Sequence, residues 1–212
     1  MKITKFAHSC VLIEHIDKAV LIDPGIFSWQ SNLVDCEKLP PLNAIVVTHR
    51  HGDHLGEPFV YALVEAQPEV QWIAPADAHE QLKNFGVRKV TDQSTEDLQV
   101  TTIEHAKVDP FGEPCQNLVV HCFGLVSDPG DSHDLQESKD VLLLPVQAPW
   151  GTTVHAFELG LALKPKYIVP IHDWMWNNDW RTHVYNRLDA VFEKTNTQII
   201  RPENGHVIDI DL

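Results

Sequence analysis

Long hydrophobic runs are missing from this chain of 212 residues. None approaches the ~20 consecutive apolar residues that a membrane-spanning helix requires. The first residues, Met1 to His8, also lack the apolar stretch of a secretory signal. We therefore expect a cytoplasmic protein without a membrane anchor. The length suits one well-buried core better than two, which predicts a single domain over residues 1–212.

Cysteine and positive charge are also scarce. The four cysteines form no Cys-x-x-Cys pair, so we expect reduced and mostly buried thiols. The net charge is −14, and the only basic cluster is small, at Lys83, Arg88 and Lys89. Because nucleic acids are bound mainly through lysine and arginine contacts to phosphate, this charge disfavours a nucleic-acid partner. A small-molecule substrate and a homo-oligomer both remain compatible with the composition.

Short apolar segments recur along the chain and predict strands. They are Ile3 to Phe6, Val11 to Ile13, Val20 to Ile22, Ala44 to Val47, Trp72 to Ala74, Leu98 to Ile103, Leu118 to Val120, Val141 to Leu144, Tyr167 to Val169 and Val207 to Ile210. Helices are predicted between them. The mixed order predicts an α/β (α+β) fold with a core of two sheets.

Four helices are predicted from apolar stripes and end signals. One begins near Pro58, and another ends at Gly86. The third buries a stripe of Val154, Phe157 and Leu161. The last is capped by Asp179 and buries a stripe of Val184, Leu188, Val191 and Phe192.

The segment His49-Arg50-His51-Gly52-Asp53-His54 carries the strongest chemical signal. It follows the buried strand Ala44 to Val47, and imidazole nitrogens and carboxylate oxygens are ligands for Zn, Mn and Fe. In an extended or turning segment, His49 and His51 can point the same way. Gly52 lets the backbone turn, so that Asp53 and His54 can aim at a second point nearby. The spacing therefore predicts a metal site.

This segment resembles the signature of the metallo-β-lactamase superfamily. Further likeness is found at His8 to Glu14, Leu21 to Gly25, Pro129 to Ser132 and Val169 to His172. These stretches are similar to the branch that contains ascorbate-6-phosphate lactonase and many uncharacterised metal-dependent hydrolases. The resemblance implies an αβ/βα four-layer sandwich, in which two mixed β-sheets are flanked by helices. It also implies two divalent metal ions, with zinc expected and manganese or iron as alternatives.

By this resemblance, His49, His51 and a third histidine bind the first metal, and Asp131 bridges both ions. The second metal is bound by Asp53, His54 and His172. Two positions leave alternatives open. We expect His105 as the third histidine, since it follows a strand, but His121 also lies between the signature and Asp131. Asp128 could take the place of Asp131 as the bridge.

Several residues near these motifs have two interpretations. The resemblance suggests that His8 faces the site and contacts substrate as a catalytic residue, whereas a hydrogen-bonded strand histidine is the alternative. Asp23 is expected to orient a ligand imidazole or to form a turn before Pro24. Trp150 lies near a loop that is expected to face the site, and it could either line a substrate pocket or pack in the fold. Ordinary packing is favoured over a substrate pocket for three nearby tryptophans: Trp174, Trp176 and Trp180.

The resemblance implies that a hydroxide held by two metal ions attacks a small ester, a lactone or a phosphate-containing substrate. Asp53 is expected to orient the nucleophile or accept its proton. The chain lacks an evident Ser-His-Asp or Cys-His arrangement, and no Gly-rich phosphate loop follows a strand. The alternatives are a phosphodiesterase or nuclease resembling ribonuclease Z, and a non-hydrolytic protein that binds iron or another metal.

Overall fold

Two β-sheets lie face to face at the centre of the computed structural model, which describes residues 1–108, 110 and 112–212. The described residues form these strands: β1 (Lys2–Lys5), β2 (Val11–His15), β3 (Lys18–Ile22), β4 (Ala44–Val46), β5 (Gln71–Ile73), β6 (Val90–Thr91), β7 (Leu98–Glu104), β8 (Gln116–Cys122), β9 (Val126–Asp128), β10 (Val141–Pro145), β11 (Tyr167–Ile171), β12 (Gln198–Ile199) and β13 (Val207–Asp209). The first sheet has the order β13-β1-β2-β3-β4-β5-β6, and the second has the order β12-β11-β10-β9-β8-β7. Both mix parallel and antiparallel pairs, as predicted.

Helices cover the outer face of each sheet. They are α1 (Ile26–Gln30), α2 (Glu57–Ala66), α3 (His79–Asn84), α4 (Thr153–Leu163) and α5 (Asn178–Phe192). Side chains alternate along a strand, so β2 sends Val11 and Ile13 into the core between the sheets and Leu12 towards α2. On the second sheet, Leu142 packs in one cluster with Leu159 of α4 and residues of α5. The predicted four-layer sandwich is confirmed.

The buried face of α4 differs from the predicted one. Val154 and Leu161 are 62% and 39% exposed, while Ala156, Leu159 and Gly160 are buried. A Cβ atom on Gly160 would lie 2.8 Å from Cζ of Phe192. Phe157 of the predicted stripe is half-buried and packs against the core cluster. The prediction was wrong for Val154 and Leu161 because it counted large apolar residues, whereas small residues allow α4 to lie close to α5.

The predicted start of α5 was also wrong. The N-cap is Asn177, whose side-chain oxygen accepts a hydrogen bond from the Trp180 backbone N–H at 2.8 Å. Asp179 instead lies in the first turn, where a negative charge favours the helix dipole. Val191 is 38% exposed, and Tyr185 takes its place in the buried stripe.

Two expectations about the chain as a whole can be compared with the fold. Within the described part of the chain, none of the helices has the length and hydrophobicity to cross a bilayer. All four cysteines are unpaired, with Cys10 and Cys122 buried and Cys36 and Cys115 half-buried. Burial is therefore less complete than predicted for the thiols.

Candidate metal centre

The predicted ligands lie at the carboxyl ends of strands on one edge of the sandwich. The segment 49–54 follows β4, His105 follows β7, Asp131 follows β9, and His172 follows β11. In the first sheet β3 and β4 are parallel, and in the second β9, β10 and β11 are parallel. Loops at the carboxyl ends of parallel strands meet at one edge of a sheet, so the topology itself brings these residues together.

The signature segment folds as a tight turn between His51 and His54. The backbone N–H groups of His54 and Leu55 both donate to the carbonyl of His51, at 3.0 and 2.8 Å. Gly25 packs directly against this turn, since a Cβ atom there would lie 1.6 Å from the Asp53 carbonyl oxygen. A side chain at position 25 would displace the turn, which explains why this position needs glycine.

Two separate groups of potential ligand atoms form at the site, and a third group, of His49, His54 and Asp131, connects them. One consists of His49, His51 and His105, and within it the three ligand atoms lie within 4.8 Å of one another. The other combines Asp53, His54 and His172 with a fourth residue, His8, within the same limit. The resemblance assigns His49, His51 and His105 to the first ion, and it assigns Asp53, His54 and His172 to the second ion.

Asp131 lies between the two groups, and each of its carboxylate oxygens faces a different one. Oδ2 is 3.8 Å from Nε2 of His49 and 3.4 Å from Nε2 of His105. Oδ1 is 3.2 Å from Nε2 of His54 and 3.4 Å from Nε2 of His172. This is the arrangement expected of a carboxylate that bridges two cations.

In four of the buried histidines of the site, His49, His54, His105 and His172, the second ring nitrogen is fixed by an oxygen atom. Nδ1 of His54 lies 2.6 Å from Oδ2 of Asp23, and Nδ1 of His49 lies 3.1 Å from the Thr48 hydroxyl. For His105 and His172, Nδ1 lies 2.5 Å from the carbonyls of Ala106 and Gln147, respectively. A carbonyl can only accept, so Nδ1 donates there and the lone pair of Nε2 points into the site.

Atoms that face the centre have no other use in the fold. Among the residues that the structure describes, the following buried atoms find no hydrogen-bond partner: both ring nitrogens of His8, Nε2 of His49, His54, His105 and His172, and Oδ1 of Asp131. Buried polar atoms are nearly always satisfied, so a cluster of unpaired lone pairs requires an explanation. Divalent cations would satisfy them, and imidazole with carboxylate is a suitable donor set. The residues therefore fit two cations.

The electrostatics of the centre follow from burial and from Asp131. Burial lowers the pKa of His49 well below its usual value and lowers that of His8 to about 4. Burial would also lower the pKa of His54 and His172, but nearby carboxylates together outweigh it and raise both: Asp131, Asp23 and Asp53 act on His54, and chiefly Asp131 acts on His172. Each imidazole therefore keeps a proton to a higher pH than usual, and a metal ion must compete with that proton.

The open alternatives can now be compared with the geometry. His121 lies in β8 with Nδ1 2.8 Å from the Ser127 hydroxyl, outside both groups of ligand atoms. Asp128 accepts a hydrogen bond from the Gly130 backbone N–H at 2.8 Å and is absent from the ligand groups found among the described residues. Asp23 contacts His54, as the orienting interpretation predicts, and also accepts from the Thr48 backbone N–H at 2.7 Å.

The three tryptophans that follow His172, at positions 174, 176 and 180, have different surroundings. Trp176 packs against the core under α4 and α5, and Trp174 lines a surface cleft with Arg181 and Arg201. Trp180 is 52% exposed and stacks on His183. Of these three tryptophans, only Trp176 packs against a core cluster, as was predicted for all of them.

Of two further residues at the site, Trp150 was left open between packing and a substrate pocket, and Asn117 was not predicted. Trp150 donates a hydrogen bond from Nε1 to Oδ2 of Asp131 at 2.7 Å. The side-chain oxygen of Asn117 accepts from the Asp131 backbone N–H at 3.0 Å, and its amide donates to the Pro129 carbonyl. The only sequence signal for Asn117 is a polar residue at the start of an apolar strand, and Trp150 lies in a loop without a motif.

Comparison with known proteins places this geometry in a family. The model of the beta-lactamase superfamily domain matches residues 2–172. Protein Rv0786c of Mycobacterium tuberculosis is 30% identical over 97% of this chain and 99% of its own length. A UPF0173 metal-dependent hydrolase of Desulforamulus reducens is 28% identical over 83% of this chain and 86% of its own.

A solved structure has the same fold. The metallo-beta-lactamase fold protein YhfI of Bacillus subtilis superposes with a TM-score of 0.70 at 17% identity, covering 98% of both chains. The predicted resemblance and the predicted fold are therefore confirmed. The chain was also predicted to be a metal-dependent hydrolase, and its UPF0173 relative carries that name. The chain belongs to the beta-lactamase superfamily domain family.

Proposed function

We propose that this chain is a hydrolase that holds two divalent cations and cleaves a small ester, a lactone or a phosphate-containing molecule. The observation that carries the proposal is Asp131, whose two oxygens face separate histidine groups with unpartnered nitrogens. His49, His51 and His105 would hold the first cation, and Asp53, His54 and His172 the second. Membership of the family supports the same class of reaction.

Bound cations would supply Lewis acidity, which activates a water molecule and polarises a carbonyl or phosphoryl oxygen. Asp53 is suited to orienting that water, since its side chain is 30% exposed while the neighbouring histidines are buried. Burial would raise the pKa of Asp53, but His54 and His8 outweigh it and hold it below the usual range. Asp53 therefore remains a carboxylate at neutral pH and acts as a hydrogen-bond acceptor.

A cleft of about 640 Å³ beside His105 is the candidate substrate site. Trp150 and His133 line it next to the centre, with their rings 4.8 Å apart. Its rim carries three carboxylates, from Glu104, Asp134 and Glu158, and the described residues contribute neither lysine nor arginine to it. This charge supports a small substrate and opposes the long polyanion that a nuclease would bind.

Three finer points belong to the proposal. Zinc is the expected ion, with manganese or iron as alternatives, because imidazole and carboxylate bind all three. The cytoplasm is the expected compartment, which agrees with four unpaired thiols. A small molecule is the expected partner, and a homo-oligomer is compatible with the fold.

The test combines metal analysis with an activity panel. Purified protein should contain two divalent ions per chain, and it should hydrolyse at least one ester, lactone or phosphate compound. Asp53→Ala should abolish turnover and lower the metal content, whereas Asp17→Ala, which changes an exposed turn carboxylate, should leave both unchanged.

Two results would reject the proposal. One is full activity in Asp53→Ala, and the other is a wild-type chain that takes up no divalent ion from metal-replete buffer. Hydrolysis of phosphodiesters alone would favour the phosphodiesterase alternative. Two irons per chain without any hydrolysis would favour the non-hydrolytic one.

A further inference from the structure

His8 is a buried histidine that the fold leaves without a partner. It lies in the turn after β1, where the Cys10 backbone N–H donates to the Ala7 carbonyl. Only 2% of its surface is exposed, and among the described residues neither ring nitrogen has a hydrogen-bond partner. A histidine that served only to fill the core would normally satisfy at least one of these atoms.

The backbone directs this imidazole towards His172. Both residues adopt left-handed conformations, with φ of 57° for His8 and 61° for His172. The His172 backbone N–H donates to the His8 carbonyl at 3.1 Å, and the two ring centroids are 3.8 Å apart. Strained conformations of non-glycine residues persist where the surroundings enforce them, often at functional sites. Here the two residues are held as a pair.

The ring of His8 ends within the second group of ligand atoms. Nε2 lies 3.3 Å from Oδ2 of Asp53 without a hydrogen bond, and its ligand atom is within 4.8 Å of those of Asp53, His54 and His172. Burial makes contact with substrate difficult, because the rings of Phe27 and His172 cover it at 5.1 and 3.8 Å. The missing partners argue against a purely structural histidine.

We propose that His8 is an additional ligand of the second cation, beside Asp53, His54 and His172. This inference rests on the proposed function, since it requires that the centre binds metal. It replaces the expectation that His8 contacts the substrate directly. Metal binding would give the buried, unpartnered nitrogen of His8 a partner at this position.

The consequence is an unequal pair of sites. With Asp131 included, the first site offers four protein donors, His49, His51, His105 and Oδ2, whereas the second offers five. Four donors suit tetrahedral zinc, while manganese and ferrous iron accept a larger number of ligands. The second site should therefore favour Mn(II) or Fe(II) more strongly than the first.

The first experiment counts coordinated histidines in the whole wild-type chain. NMR spectra of protein labelled with ¹⁵N-histidine and loaded with two equivalents of zinc should show six metal-bound imidazoles. Five would be His49, His51, His54, His105 and His172, and the sixth would be His8. This measurement needs no substitution, so it does not depend on whether a variant folds.

The second experiment measures affinity with variants. Metal-free wild type, His8→Asn, His8→Ala and the control His121→Ala are titrated with Mn(II), and circular dichroism verifies their fold. The two His8 variants should keep one ion at wild-type affinity and bind the second at least about tenfold more weakly. His121→Ala should match the wild type, because His121 lies outside the centre.

The failures of the two proposals can be told apart. If the wild type binds two ions, shows five coordinated histidines and loses no affinity in the His8 variants, the role of His8 is rejected and the proposed function stands. If the wild type binds no divalent ion, the proposed function is rejected together with this inference.

Discussion

Individual residues of the site were predictable to the extent that they occur in a motif. His49, His51, Asp53 and His54 lie within six residues, and a spacing of this kind indicates metal binding without any knowledge of the fold. His105 required a choice against His121, which depended on strand ends. The contact of Trp150 with Asp131 could not be predicted, because it spans 19 positions and depends on how two loops meet.

The Trp150 contact gives the first prediction. Trp150→Phe keeps an aromatic side chain, although a smaller one, and removes the N–H that donates to Oδ2 of Asp131. We expect metal affinity or kcat/KM to fall about tenfold, since hydrogen bonds to metal ligands typically contribute that much. Trp180→Phe is the matched control, because Trp180 is exposed and stacks only on His183. Equal affinities and rates in the two variants would contradict the role of Trp150.

Protons and cations should compete for His54 and His172. The Asp131 carboxylate raises the pKa of both imidazoles, so each keeps its proton to a higher pH than a free histidine. Metal affinity should therefore increase as the pH rises through the neutral range, by about tenfold per pH unit for each proton displaced. Competition with a chelator at several pH values measures this slope. An affinity that is constant across the range would count against the prediction.

At the scale of elements, the longer strands and helices were predictable and the shortest were not. β2 and β10 have continuous apolar runs, whereas β6 and β12 have two residues each, too few for any periodicity. The helix α1 was not among the predicted helices, since its five residues include Ser28 and Gln30 and are too few for a clear apolar stripe. Burial of α4 depends on Gly160 and its neighbour Phe192, and such a contact between helices cannot be read from one stripe.

A buried ion pair joins β1 to the loop after β11. Lys5 donates from Nζ to Oδ1 of Asp173 at 2.5 Å and to the Pro170 carbonyl at 3.1 Å, with both charged groups fully buried. Asp173 also accepts from Arg181 of α5 at 2.9 Å and from the Tyr185 hydroxyl at 2.7 Å. This network fixes the residue next to His172 and so supports the second group of ligands.

Removing one partner of this pair should destabilise the fold. Lys5→Met leaves the Asp173 carboxylate buried with fewer partners, which typically costs about 3–5 kcal/mol of unfolding free energy. We expect the lower end, since Arg181 and Tyr185 remain. Urea unfolding measures the loss, and Lys18→Met, which breaks a half-buried pair with Asp97 at the surface, should lose much less. Similar losses in both variants would show that the buried pair contributes little.

For the whole molecule, the metal centre should contribute to stability. Its ligands come from both sheets, and the Leu118 backbone N–H of the second sheet donates to the Thr48 carbonyl of the first at 2.8 Å. Each bound ion favours the folded state by about 4 kcal/mol when its free concentration is 1,000 times Kd. Removal of metal with EDTA should therefore lower the Tm by roughly 8–16 °C for each ion lost from a chain of this length.

An Asp131→Ala variant provides the control for metal removal. If the loss of Tm reflects the centre, EDTA should lower the Tm of this variant little or not at all. Restoring the ions to the wild type should restore its Tm. A wild-type Tm that is the same with and without EDTA would mean that the ligands are held by the fold alone.

Because the Asp131 carboxylate faces both metal positions, it also limits whether a chain can hold one ion without the other. If the centre holds two ions as proposed, loss of His105 or of His172 would remove a ligand from one ion only and would leave the other position intact. Asp131 has one oxygen on each side, so its loss would weaken both positions at once. Variants at His105 or His172 should thus yield chains that hold a single ion. An apolar substitution of Asp131 should not yield such a chain, because it weakens both positions.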